Sequence, residues 1–189
     1  MAISKKEAKL RKHLKEILIA LGYSTADPNI KDTPKRVARL WCQELSFPPK
    51  LSRKLFSTFP SDIRQMITLK EHQGWSRCPH HLERVELVTS VAYIPSGKVL
   101  GLSKLARIAD YFSQGLVLQE DYTETFADGL FESLKPLGVA VMVKGVHLCM
   151  KARGVESTGL TITTALRGVF QEEGVKGLAA REEFLSLVK

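Results

Sequence analysis

Apolar residues recur at helical spacing from the start of the chain. Leu10, Leu14, Ile17, Leu18 and Leu21 share one face with lysines opposite, and Gly22 is placed to end that helix. A turn-rich stretch over 24–31 follows. Thr33 is then a predicted N-cap with Pro34 at the first helical position, and the helix runs to about Leu45, turning Val37, Leu40, Trp41 and Leu45 inward. Pro48, Pro49 and Pro60 mark 46–62 as a linker. Residues 1–62 therefore read as a helical extension with its linker, and 63–189 as the main domain.

Beyond residue 62 the period changes. Residues 63–75 and 83–95 read as strands, the second ending at the turn Pro95-Ser96-Gly97. Ser103 to Ser113 and Thr123 to Leu134 read as helices. Residues 138–150 and 159–170, rich in Val, Ile and Thr, read as two more strands, and 181–188 as a short closing helix. Strand pair, helix pair, strand pair predicts an α+β fold: an antiparallel four-stranded sheet with two helices on one face. Such a sheet leaves two open edges, which association into a barrel would remove.

Bulk properties narrow the class. The 189 residues are 44% hydrophobic, an ordinary globular composition, with no internal repeat. No apolar run approaches the roughly 20 residues of a membrane span. The lysine-rich start lacks a signal-like apolar stretch, so the chain is expected to be cytosolic. Three cysteines suit metal or catalytic use better than a disulfide framework. The net charge of +8 fits an anionic ligand. There is no Arg-rich tail and no basic run interleaved with aromatics, which argues against nucleic acid.

The chemistry concentrates in Cys78-Pro79-His80-His81 and His147-Leu148-Cys149. Cys78 and His81 can converge from a tight turn. His147 and Cys149, two apart on an expected strand, would share a face. Cys and His at these spacings suit zinc. Two thiolates and one imidazole would leave a position for water, with two further imidazoles to move protons. A structural zinc with four protein ligands, or unrelated buried Cys and His, fits the spacing equally, and spacing does not divide the histidines between roles.

A second cluster follows at Gly101-Leu102-Ser103-Lys104-Leu105-Ala106-Arg107. Gly101 allows close backbone approach, Ser103 is placed to cap a helix, and Lys104 and Arg107 fall on one helical face. Arg153, just after the second metal segment, can grip phosphate bidentately. Arg36 and Arg39 repeat the three-residue spacing on the second helix. Together these basic groups favour a polyphosphate ligand.

These segments, with Val91-Ala92-Tyr93-Ile94-Pro95, Thr33-Pro34-Lys35-Arg36-Val37-Ala38 and Ala165-Leu166-Arg167-Gly168-Val169-Phe170, resemble the signature segments of the GTP cyclohydrolase I family, in order from about residue 32 onward. The resemblance implies the tunnelling fold, in which small sheets associate into a barrel, usually as a decamer of stacked pentamers. It implies Cys78, His81 and Cys149 as zinc ligands, and His80 and His147 as acid–base residues. It implies Ser103, Lys104, Arg107 and Arg153 as triphosphate contacts, with Arg36 and Arg39 contributed by a neighbouring subunit. Gln119 and Glu120 match the segment that reads guanine, and the resemblance implies that Leu102 and Ser103 line the same cleft. The implied reaction is zinc-dependent opening of the GTP imidazole ring with loss of formate, giving 7,8-dihydroneopterin triphosphate. The alternatives are a sister enzyme that acts on another purine nucleotide or stops at a formamide, and a non-catalytic zinc and nucleotide-binding regulator. The chain departs from the family pattern at Pro79, where relatives usually carry Glu, over Glu83–Leu87, and at Asp121 after Gln119-Glu120.

Overall fold

Two compact units, Met1–Phe47 and Pro48–Lys189, make up the computed structural model, which describes residues 4–46 and 52–189. In the first unit, α1 (Lys5–Ala20) starts at Ser4, whose hydroxyl accepts the Glu7 N–H at 3.1 Å. It ends in a Schellman turn: Tyr23 N–H reaches Leu18 O, Gly22 N–H reaches Ile19 O, and Gly22 takes the positive φ of 86°. Leu14 is buried, while Ile17 and Leu21 of the expected apolar face stay exposed. Helix α2 (Thr33–Glu44) begins one residue earlier than a Thr33 cap would allow. Asp32 O already accepts the Arg36 N–H at 3.0 Å, so Asp32 is the N-cap, and its side chain makes no capping bond.

The expected linker is only partly irregular. Residues 47–51 of it lie outside the described residues. Arg53–Phe56 form a 3-10 turn, and β1 (Thr58–Pro60) pairs antiparallel with β4 (Lys98–Leu100). Both belong to the second unit, whose boundary at 47/48 differs from the division at residue 62.

Four longer strands form the main sheet: β2 (Ile67–Arg77), β3 (Arg84–Ile94), β5 (Gly138–His147) and β6 (Thr161–Gly168), antiparallel throughout in the order β2-β3-β5-β6. Their β-branched runs favour the pleated state, and the period of two sorts their side chains. Val85, Leu87, Val91 and Tyr93 of β3 join Val139, Val141 and Val143 of β5 in one core. Helices α3 (Leu102–Ser113) and α4 (Gln119–Leu134) cover that face with Leu105, Ile108, Tyr122, Phe126 and Leu130. Ala92 and Ala140 point the other way. There α6 (Val175–Val188) packs Ala180, Phe184 and Val188 with Phe170. The closing helix is thus 14 residues long and lies on the opposite face from α3 and α4.

Two features fix the geometry of the site. Register places Val85 opposite His147 at one end of the sheet and Ile94 opposite Gly138 at the other. Helix α4 starts at the His147 end and returns to the Ile94 end, where Leu137 N–H bonds Ile94 O. Arg167 on β6 clamps it there, donating through Nε to Asp128 at 2.6 Å and through Nη2 to Glu124. The Asp128 hydrogen bond is the largest influence raising the Arg167 pKa above its ordinary value. No helix among the described residues is long and apolar enough to cross a membrane.

Candidate metal centre and its cleft

Cys78 leaves β2 and enters the turn that leads to β3. Its N–H bonds Glu83 O and its carbonyl accepts Leu82 N–H, both at 2.9 Å, so the Cys-Pro-His-His segment is held as a closed loop. Leu82 sits at φ 57°, and Arg77 Nη1 donates to its carbonyl at 2.9 Å. The loop brings Cys78 Sγ to 3.6 Å from His81 Nδ1 and 3.7 Å from His80 Nδ1.

Cys149 arrives from the other side of the sheet end. Strand β5 stops at His147, and the one-turn helix α5 (Leu148–Lys151) carries the cysteine. The expectation that His147 and Cys149 share one strand face is therefore corrected: Leu148-Cys149-Met150-Lys151 has no β-branched residue to prolong the strand. Cys78, His81 and Cys149 nevertheless converge, each offering one ligand atom within 4.8 Å of the others, so the group could hold a metal ion. Burial is the main influence raising the Cys149 thiol pKa, followed by the neighbouring Cys78, while Arg153 works in the opposite direction. Cys42 lies in the first unit, on α2.

A cleft of about 280 Å³ opens beside these groups and is lined by His80, His81, His147, Cys149, Gln119 and Glu120, among others. Gln119 and Glu120 form the first turn of α4, whose N–H groups give this end of the cleft a partial positive charge. Glu120 is exposed there. Gln119 is 4% exposed, and its amide is committed to protein partners. The two N–H groups of Nε2 are shared among three acceptors, Val143 O, Thr161 O and Thr163 Oγ1, at 3.0–3.1 Å. Oε1 lies 2.9 Å from His147 Nε2. The side chain expected to face guanine thus ties α4 to β5, β6 and His147. One cue in the sequence pointed to this: Gly145 interrupts a β-branched strand, as a glycine does where another group approaches the backbone. A Cβ at Gly145 would overlap Gln119 Oε1.

The basic cluster lies elsewhere in the chain. Leu102, Ser103, Lys104 and Arg107 do not line the cleft. Gly101, not Ser103, is the N-cap of α3, and Ser103 falls in its first turn. This helix starts near Tyr93, whose hydroxyl accepts Leu100 N–H at 2.9 Å. Tyr93 is eight residues along β3 from Val85, about 27 Å at roughly 3.4 Å per residue. Lys104 Nζ donates to Lys54 O at 3.0 Å and Ser57 O at 3.3 Å. Arg107 is exposed, Arg153 is exposed just beyond α5, and Arg36 and Arg39 are exposed on α2.

Residues 10–189 match the family model described as GTP cyclohydrolase I. The chain is 41% identical over 190 aligned residues to GTP cyclohydrolase 1 of Aquifex aeolicus (strain VF5), covering 100% of this chain and 99% of that one. It is 42% identical over 176 residues to GTP cyclohydrolase 1 of Geobacillus sp. (strain WCH70), covering 92% of each. A GTP cyclohydrolase from Nostoc sp. (strain PCC 7120) is 38% identical over 97% of this chain and 84% of its own length.

Proposed function

The chain belongs to the GTP cyclohydrolase I family, and from that premise we propose that it opens the imidazole ring of GTP at a zinc centre, releases formate and yields 7,8-dihydroneopterin triphosphate. The observation that carries this reading is the meeting of two thiols and an imidazole with two further histidines in one cleft. The donor set fits zinc. Sulfur at about 2.3 Å and nitrogen at about 2.0–2.1 Å on a tetrahedral ion lie roughly 3.5–3.6 Å apart, and Cys78 Sγ and His81 Nδ1 are 3.6 Å apart. Three protein ligands leave the fourth position open, as a catalytic site requires. When bound, zinc supplies Lewis-acid activation of water near neutral pH.

The remaining work falls to side chains. His80 or His147 protonates N7 of the purine, which makes C8 electrophilic, and the same pair moves protons during ring opening and formate loss. The Glu120 carboxylate accepts from the guanine N1–H and N2–H₂ together, so the base is chosen by two matched donors. Ser103, Lys104, Arg107 and Arg153 hold the triphosphate, which stays intact and anchors the base.

One chain does not bring these parts together. The start of α3 lies toward the opposite end of the sheet from the cysteines. The cleft, at about 280 Å³, is below the roughly 300–1,000 Å³ that encloses a drug-sized ligand. Association of copies through the open edges of β2 and β6 supplies the missing groups: Ser103, Lys104 and Arg107 of one copy, and Arg36 and Arg39, serve a neighbour's cleft. Such a homo-oligomer, a decamer in this reading, is the active species.

The test is formate release from GTP by zinc-loaded protein, by chelator-stripped protein and by His147→Ala. Turnover only in the first is expected. Equal formate from all three, or none from any, would refute the proposal.

A further inference from the structure

The amide of Gln119 can sit in only one orientation. Its nitrogen faces two backbone carbonyls, Val143 O and Thr161 O, at 3.1 and 3.0 Å. Turning the amide over would set oxygen against both. The third neighbour is consistent with this. Thr123 Oγ1 donates to Gln119 O at 2.7 Å, so the 2.6 Å contact between Thr123 and Thr163 takes its proton from Thr163. The Thr163 oxygen is left to accept from Gln119 Nε2. Oε1 must then be the atom facing His147 Nε2 at 2.9 Å, and it can only accept. His147 Nε2 therefore carries a proton, and Nδ1 is the lone-pair nitrogen of the neutral ring.

We propose that Gln119 is a positioning residue that fixes the ring orientation and tautomer of His147, and that Gly145 is the vacancy in β5 that lets it do so. Register supports the second part. Gly145 and His147 point to the same face of β5, and Gln119 fills the space a Cβ at 145 would take, 3.3 Å from His147 Nε2. Gln119 thus acts on turnover through His147 and not by reading the base. This inference rests on the reading of His147 as an acid–base residue.

The zinc-loaded protein and its Gln119→Met, Gly145→Ala and double variants test it. Gly145→Ala leaves the amide in the protein but displaces it, so it reports even if Gln119→Met folds poorly. In each single variant kcat for GTP should fall about tenfold or more, a part of the roughly 10²–10⁴ that acid–base catalysis contributes. KM should stay within about threefold, zinc content should be unchanged, and the double variant should be no worse than the poorer single, because both remove one contact. Independently of turnover, ¹⁵N-histidine spectra should give His147, identified by its absence in His147→Ala, the Nε2–H pattern, which Gly145→Ala and Gln119→Met should lose. A raised KM at unchanged kcat would make Gln119 a substrate contact and overturn the inference. So would additive losses, or an Nδ1–H pattern in the wild type. Wild-type turnover by His147→Ala sinks the acid–base reading instead. Loss of turnover in His147→Ala with unaffected Gln119→Met and Gly145→Ala sinks the present inference alone.

Discussion

Replacing Arg167 by Met should weaken the grip of β6 on α4, the helix whose first turn carries Gln119 and Glu120. The guanidinium makes three contacts: Nε to Asp128 at 2.6 Å, Nη2 to Glu124, and Nη1 to Leu166 O at 2.7 Å. The Arg167 side chain is 18% exposed, but Asp128 and Glu124 are 50% and 55% exposed. Hydrogen bonds to charged groups contribute about 1.5–3 kcal/mol each when shielded. Water can take over the two carboxylates once Arg167 is gone, so the sum is discounted to about 2–3 kcal/mol. Met keeps much of the apolar stem, so little of the loss is packing. At roughly 2–4 °C per kcal/mol for chains of this size, the thermal midpoint should fall by about 4–12 °C. Arg167→Lys keeps the charge but not the fork, and should fall between the two. Thermal melts with urea titrations at matched protein concentration measure both. A loss below about 0.5 kcal/mol would place Arg167 among ordinary surface ion pairs and refute the clamp.

Further outcomes follow from the site. Cys78→Ser and Cys149→Ser should each lose most of the bound zinc, whereas Cys42→Ala should keep about one zinc per chain; elemental analysis decides, and full zinc in both serine variants would remove the ligand assignment. Zinc uptake by metal-free protein at neutral pH should release protons, because Cys149, whose pKa is raised by burial and by Cys78, is a thiol until metal displaces its hydrogen. Affinity should therefore weaken as pH falls, and calorimetry in buffers of different ionisation enthalpy would expose a proton-neutral uptake that contradicts this. Glu120→Gln should raise KM for GTP at least tenfold with zinc unchanged, since an amide cannot accept from both guanine donors; wild-type turnover of ATP as fast as GTP would contradict the role given to Glu120.

Much of this architecture is legible in the sequence because it rests on local patterns. The β-branched runs of β3 and β5 and the apolar period of α3 carry their own signal, and Cys78, His81 and Cys149 stand out by residue type. What escaped depends on contacts distant in sequence. Helix α4 begins at Gln119, four residues before the expected Thr123; Leu118 at its N-cap offers no capping oxygen and so leaves no mark of the start, and the acidic pair Glu120 and Asp121 in the first turn was the available cue. Strand β1 was hidden by Pro60, and exists because Lys98–Leu100 pairs with it. A motif at spacing two suggested one strand for His147 and Cys149, but motif spacing carries no information on where a strand stops. The inward turn of Gln119 was the least visible feature, since all four of its side-chain partners lie on β5 and β6, 24 to 44 residues away.

Hydrolytic opening at C8 of GTP with release of that carbon as formate is tested by following the label from [8-¹³C]GTP given to the zinc-loaded protein. One labelled formate should appear for each dihydroneopterin triphosphate formed, with the triphosphate intact by mass. Label retained in a nucleotide formamide, or a pterin formed without labelled formate, would contradict it.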